Sequence, residues 1–368
     1  MAGVGPTLRG APVLAAALLA LAPGASAQWV IESSDGGSSI KLGFLAQPQA
    51  EWLEAPTGGQ YAQNLFLRRF RILFGGHVTE KWSFFFETDS PNVGKANPDE
   101  AANPTGAKDA GSIYIQDAVL TYTQTAAFKV DAGFQLIPLS HNHEQSAASL
   151  LPVDYGPYTF VESTPTCERC GRDYGVQVRG YPAKQHVEYR VGVFSGFRGV
   201  GASNSLRLTA RVAWYPWAAE TGYFYAGTFQ GSKKLLGIGA SADTQKDYRS
   251  YGADVFYEQP FNQGRQGLTA QFGWVRFDGG TFLTSLHRQD TYLFEAGVHL
   301  ARGRFTPFVQ YASRDLAGPS PDEDSLQAGL AWWWKGHSRN LKASVGRLHT
   351  DGQPDRVQAL VQLQIYYY

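Results

Sequence analysis

The chain has 368 residues, and its 32 lysines and arginines balance 32 aspartates and glutamates, so the formal net charge is zero. This balance argues against nucleic-acid binding through bulk electrostatics. Beyond the first 27 residues, no apolar run reaches the roughly 20 residues that a membrane-spanning helix needs.

The N-terminus has the pattern of a secretory signal peptide. A short basic stretch ends at Arg9, an apolar segment covers 11–21, and Ala25-Ser26-Ala27 has the small residues of a cleavage site. We therefore expect residues 1–27 to be a signal peptide that is removed. Export would place Cys167 and Cys170 in an oxidising compartment, where a local disulfide is expected.

Alternating apolar and polar residues fill the chain from Ile40 onwards. Within 128–136, for example, Lys129, Asp131 and Gln135 alternate with apolar side chains. A period of two is typical of strands that have one apolar and one polar face. The pattern predicts sixteen strands, at residues 40–53, 62–76, 80–89, 112–124, 127–137, 173–181, 185–195, 205–215, 233–243, 248–259, 267–278, 289–300, 304–314, 324–335, 339–349 and 356–368.

These strands have the features of a bacterial outer-membrane barrel. Their number is even, and aromatic clusters at 332–334 and 366–368 lie at strand ends. Closure would also remove the edge strands that an open sheet of this size exposes. The sequence therefore predicts an all-β fold, a 16-stranded antiparallel transmembrane β-barrel over residues 28–368. A soluble β-sandwich or barrel, whose strands also alternate, is the alternative.

Long and short connections alternate along the predicted barrel. The longest, 138–172, is stiffened by four prolines, and loops of such length are often functional. We expect it to fold into the barrel as a constriction loop, with His141, His143, Arg169 and Arg172 as candidate lining residues. The connection 216–232 is unusually long for a side that otherwise has short turns.

Five stretches resemble the phosphate-selective porin O and P family. They are 67–72 (LRRFRI), 79–84 (TEKWSF), 116–118 (QDA), 171–177 (GRDYGVQ) and 192–196 (GVFSG). The resemblance implies a 16-stranded, trimeric, passive channel in the outer membrane, which would contact outer-membrane lipids and the barrel-assembly machinery. The chain departs from the family where the long loop begins, because 136–140 (LIPLS) lacks the lysine and glycine of the usual K-x-P-F-G.

Several basic side chains fall on the polar parity of the predicted strands. Lumenal arginines and lysines favour small anions, and guanidinium groups match phosphate oxygens. Carboxylates share the same parity, however, so the cations could instead be paired. Arg68 has the apolar parity and requires a bulge or an interfacial position. The candidate pore-lining and anion-binding residues are Arg69, Arg71, Lys129, Arg179, Arg190, Arg207 and Arg211.

The sequence thus predicts a weakly selective porin for small hydrophilic solutes, and the family resemblance implies small anions such as phosphate as the leading substrate class. A non-conducting structural or adhesive barrel is one alternative. An outer-membrane enzyme is another, but no motif joins a nucleophile to a base. His141 and His143 could form a metal site with Cys167 and Cys170; we predict a disulfide there instead, and neither a metal nor a cofactor.

Overall fold

The computed structural model describes residues 29–56, 58–96, 108–158 and 171–368. Two short 3-10 helices, Ala183–Gln185 and Val200–Ala202, accompany the strands, and no helix in these ranges is long and apolar enough to cross a membrane. The strands are β1 Trp29–Glu32, β2 Ser39–Glu54, β3 Tyr61–His77, β4 Trp82–Asp89, β5 Tyr114–Thr125, β6 Phe128–Leu136, β7 Arg172–Gly180, β8 Val187–Phe194, β9 Arg207–Trp214, β10 Leu235–Gln245, β11 Tyr248–Phe261, β12 Gln266–Asp278, β13 Gln289–His299, β14 Phe305–Leu316, β15 Glu323–Lys335, β16 Arg339–Thr350 and β17 Arg356–Tyr367.

Strands β2 to β17 form a closed ring. Each pairs antiparallel with its neighbour in sequence, and β17 pairs with β2. The short strand β1 pairs with residues 39–42 of β2, whereas β17 pairs with residues 44–53, so β1 and β17 lie end to end along one edge of β2. The barrel therefore has sixteen strand positions, as predicted.

The strand predictions are confirmed, with boundaries within two residues of those observed. The period of two was a reliable signal because one face of each strand is apolar and the other polar along its length. Strand β1 was not predicted, since its four residues are too few to establish an alternation.

The outer face of the barrel is apolar and the inner face is polar. On β9, Leu208, Val212 and Trp214 are about half exposed, whereas Arg207 and Arg211 are buried. This reverses the burial pattern of a soluble protein and is the pattern of a transmembrane barrel.

The two ends of the barrel differ in their connections. We call the end with the turns 78–81, 126–127, 262–265 and 336–338 the short-turn end, and the opposite end the long-loop end. Beside the short-turn end, the Phe305 ring stacks on Trp332, and Trp334 packs against Trp332 at a tilt. Such clusters are typical of the boundary between lipid tails and headgroups.

Candidate functional site

The segment 137–158, which we call the inward loop, lies inside the barrel. Residues 137–153 are buried except Ser146. Leu139 packs with Tyr248 and Phe277 of β11 and β12, and Ala147 packs with Leu45 and Leu73 of β2 and β3 on the other side of the lumen. Because its apolar side chains contact opposite walls, the inward loop crosses the lumen rather than following one side of it.

Polar side chains of the barrel wall bind the backbone of the inward loop. The Lys342 ammonium donates to the carbonyl oxygens of Leu150, at 2.5 Å, and Pro152, at 2.9 Å. The Gln310 amide donates to the carbonyl of Asp154 at 3.0 Å. These bonds satisfy loop carbonyls that no secondary structure satisfies, and they fix the path of the loop.

A β-bulge adds a charged clamp on the same loop. Arg68 has no partner on β2, so Arg68 and Arg69 both reach the interior. Arg68 Nε donates to one oxygen of Asp154 at 2.6 Å, and Arg69 Nη2 donates to the other at 2.5 Å. Burial acts to raise the pKa of Asp154, but the two guanidinium groups outweigh burial and hold the pKa well below its ordinary value. The bulge thus explains how Arg68, which has the apolar parity in the sequence, reaches the interior.

A second segment, 215–234, enters from the short-turn end, and we call it the inward turn. Its Tyr225 is buried and shares a parallel bridge with Gln145 of the inward loop. The Tyr225 carbonyl accepts from the Ser146 N–H at 2.8 Å, and the Tyr225 N–H donates to the Glu144 carbonyl at 2.9 Å. The unusual length of this connection was visible in the sequence, but its position inside the barrel was not.

Where the two inward segments meet, charges are paired. Glu144 of the inward loop lies 2.5 Å from Arg190 and 3.8 Å from Arg211. Arg190 also contacts Glu188 at 2.7 Å, and Glu188 accepts a hydrogen bond from the Tyr225 hydroxyl at 2.8 Å. Arg211 also pairs with Asp254, so three carboxylates surround these two guanidinium groups and neutralise both.

The predicted lumenal arginines are buried in the interior, and each is paired with a carboxylate. Arg207 is the most enclosed of them, with its side chain fully buried against Asp243. The remaining pairs are Arg69–Asp154 at 2.5 Å, Arg71–Glu87 at 2.5 Å, Arg71–Asp89 at 2.8 Å, Arg172–Asp117 at 3.1 Å, Arg179–Asp131 at 2.5 Å, Arg190–Glu144 at 2.5 Å and Arg211–Asp254 at 2.6 Å.

Lys129 differs from the arginines. It lies near the short-turn end and lines a cavity together with Lys81, Arg179 and Tyr223. Its ammonium lies 5.9 Å from the centroid of the Tyr181 ring, within reach of a weak cation–π contact. Lys129 is therefore more accessible to solutes than the buried arginines.

Over the described part of the chain, buried acids outnumber buried cations. Thirteen aspartate and glutamate side chains are buried, against seven arginines and Lys342. The sequence showed that positive and negative side chains share the inward parity, but it did not show this excess of buried carboxylates. An interior of this composition does not present the field of unpaired positive charge that a tight anion filter requires.

The two histidines of the inward loop are held by packing and hydrogen bonds inside the barrel. His141 is stacked between the rings of Tyr225, 4.8 Å away, and Phe256, 4.2 Å away. His143 Nε2 donates to the carbonyl of Gly171 at 3.1 Å. Burial lowers the pKa of His143 to about 3, so this side chain is neutral at physiological pH.

Some predicted features fall outside the described residues. These are the signal peptide, Arg169, and the cysteine pair Cys167 and Cys170. In the ranges that the structure does describe, no three histidine, cysteine or acidic side chains are grouped to hold a metal ion.

A closed 16-stranded barrel with an apolar outer face and a polar lumen crossed by a loop defines the porin fold. A family model described as phosphate-selective porin O and P matches residues 53–247, which is more than half of the chain. The chain therefore belongs to this family, and the resemblance noted in the sequence is confirmed. Family membership supports a channel for solute diffusion in the outer membrane rather than an enzyme.

Solved structures agree on the fold. The chain resembles an anion-selective porin from Comamonas acidovorans, with a TM-score of 0.61 and 12% identity over 90% of this chain and 100% of that chain. It also resembles Salmonella typhi OmpF in complex with daunomycin, with a TM-score of 0.58 and 12% identity over 91% of this chain and 100% of that chain. A third similar structure is a trimer form of Vibrio cholerae OmpT, with a TM-score of 0.54 and 11% identity over 90% of this chain and 100% of that chain. No curated protein matches the sequence.

Proposed function

We propose that this protein is a weakly selective porin, through which small hydrophilic solutes, small anions such as phosphate among them, diffuse down their gradients. The pairing of all the described candidate arginines with carboxylates carries this proposal. A guanidinium that already donates to a buried carboxylate would have to exchange that partner for a passing phosphate, which removes most of the gain from binding it.

The two inward segments limit the size of the solutes. The inward loop is fixed to the walls by Lys342, Gln310 and Asp154, and the inward turn is bound to it through Tyr225. Both segments occupy space that would otherwise be water, so they set the cross-section of the pathway. The excess of buried carboxylates opposes any strong preference for anions.

We also propose how the barrel is oriented and assembled in the outer membrane. The short-turn end faces the periplasm and the long-loop end faces the outside, as is usual for outer-membrane barrels. The apolar outer face contacts outer-membrane lipids, and the barrel-assembly machinery inserts the chain. Assembly as a homotrimer is also proposed, by analogy with the trimer form of the OmpT fold relative.

Swelling of proteoliposomes in solutions of single solutes tests the proposed function. We expect swelling rates that fall as solute size rises, with anionic, cationic and uncharged solutes of equal size differing little. Swelling confined to anions would overturn weak selectivity. A folded barrel in the vesicles without any swelling would favour the structural or adhesive alternative.

A further inference from the structure

We propose that the long-loop end of the lumen binds uncharged, polyhydroxylated solutes such as small sugars, an inference that rests on the proposed solute-diffusion function and names one of its substrate classes. A cavity of about 360 Å³ lies there between the inward loop and the strands β2, β3 and β14 to β17. Cavities of this size are typical of small-molecule sites.

The two cations and two anions that line this cavity are paired with one another, and Asp154 is also shared with Arg69, which does not line the cavity. Lys95 contacts Glu51 at 2.7 Å, and Arg68 contacts Asp154 at 2.6 Å. A charged solute would gain a new ion pair only by weakening one of these, whereas an uncharged solute leaves both intact. The cavity therefore favours a neutral ligand.

The wall of the cavity offers a chain of amide groups. The Ser344 hydroxyl donates to the Gln327 amide oxygen at 3.1 Å, the Gln327 amide donates to Gln358 at 3.2 Å, and Gln358 donates to Glu51 at 2.8 Å. Each primary amide has two N–H donors and two lone pairs. The glutamines of this chain thus retain capacity for further hydrogen bonds.

A sugar hydroxyl suits such a wall because it donates and accepts at the same time. Gln49 and Ser325 add further polar groups to the lining, and Tyr155, Pro157 and Leu360 add apolar surface. The combination of apolar surface with a few placed polar groups is the usual composition of a binding site for an uncharged polar ligand.

Isothermal titration calorimetry of the full-length, detergent-solubilised protein with sucrose tests this inference. We expect saturable binding in the wild type and binding about ten-fold weaker in a Gln327→Leu/Gln358→Leu variant, because the leucines remove two hydrogen-bonding groups. Gln177→Leu, a buried lumenal change on β7 away from the cavity, is the matched control and should bind sucrose as the wild type does. Sodium phosphate should not compete.

The inference is overturned if the wild type shows no saturable heat, if the double variant binds as well as the wild type, or if phosphate competes with sucrose. Should the double variant fail to fold, Gln358→Glu provides a second test, since it replaces one amide with a carboxylate beside Glu51 and should also weaken binding. Calorimetry requires no conduction, so sucrose binding without solute flux would contradict only the proposed function, and flux without binding would contradict only this inference.

Discussion

The lumen has two walls, and neither presents unpaired positive charge, for different reasons. Strands β3 to β11, the charged wall, hold the paired arginines and most of the buried carboxylates. Strands β14 to β17 and β2, the amide wall, present mainly glutamine, asparagine, serine and threonine; the buried charges on it are Glu51 and Lys342 within the described residues. On the charged wall, nine buried carboxylates face seven buried arginines, so every positive charge is paired; on the amide wall, few side chains are charged.

The two walls also hold the inward loop differently. The charged wall binds loop side chains, through Arg69 with Asp154 and Arg190 with Glu144. On the amide wall, Gln364 donates to the carbonyl of Ala148 at 2.7 Å. Removing one partner of a buried ion pair costs about 3–5 kcal/mol, whereas an ordinary hydrogen bond contributes about 0.5–1.5 kcal/mol. Both walls therefore anchor the loop: the charged wall holds its side chains, and the amide wall holds its carbonyls through Lys342, Gln310 and Gln364.

Shortening the inward turn should give the largest effect. Replacing residues 218–231 with a short Gly-Ser turn removes Tyr225 from the charged wall and opens the short-turn end. We expect a several-fold rise in single-channel conductance in planar bilayers. A matched shortening of the loop at 318–321, at the opposite end, should leave conductance unchanged. Equal conductance in all three proteins would show that the inward turn does not limit the pathway.

Asp154→Asn should convert one site of the charged wall into a real anion filter. Without the carboxylate, Arg68 and Arg69 lose the one counterion that they share, so we expect a clear shift of the reversal potential towards chloride. Asp290→Asn breaks the more exposed pair with Arg276 and should leave selectivity as it is. If Asp154→Asn has no effect on selectivity, the pairing of these arginines does not determine the field in the lumen.

Lys342→Met should destabilise the protein moderately. The change leaves the carbonyls of Leu150 and Pro152 buried without their donor, which costs about 1–3 kcal/mol. Urea-induced unfolding in lipid vesicles, followed by tryptophan fluorescence, measures the change in the free energy of unfolding. Lys129→Met, at a more accessible lysine, serves as the control and should cost little. A variant at Lys342 as stable as the wild type would contradict the anchoring role.

The pH dependence of the clamp should be the smallest effect. Because the pKa of Asp154 in the fold lies below its unfolded value, the stability that its ionised form contributes is present above the unfolded pKa, about 3.9. That stability is lost only as the pH falls through the lower, folded pKa. His143 stays neutral over the same window, since its pKa is about 3. The clamp itself should not change between pH 7 and pH 5, whereas burial raises the pKa of Glu144 in the inward loop to about 7. Any conductance step in this range should therefore be absent from a Glu144→Gln variant, and a step that persists in this variant would point to a different switch.

The sequence predicted the barrel well because lipid outside and water inside impose the same period of two on every strand. It predicted less about the site. The partners of Arg71 and Arg207 lie on neighbouring strands, so they depend on register. The inward turn was not predicted as a lumenal element, although its aromatic run at 223–225 was a signal. The alternation of Gln358, Gln362 and Gln364 was visible in the sequence. These residues were not predicted as site residues, because the candidates were chosen by their charge.

The reversal potential of the wild-type channel in a potassium chloride gradient tests the central claim most directly. If carboxylates neutralise the lumenal arginines, chloride and potassium should permeate at similar rates, and the reversal potential should lie close to zero. A reversal potential near the chloride equilibrium potential would contradict the account, because it would require a field of positive charge that the paired walls do not provide.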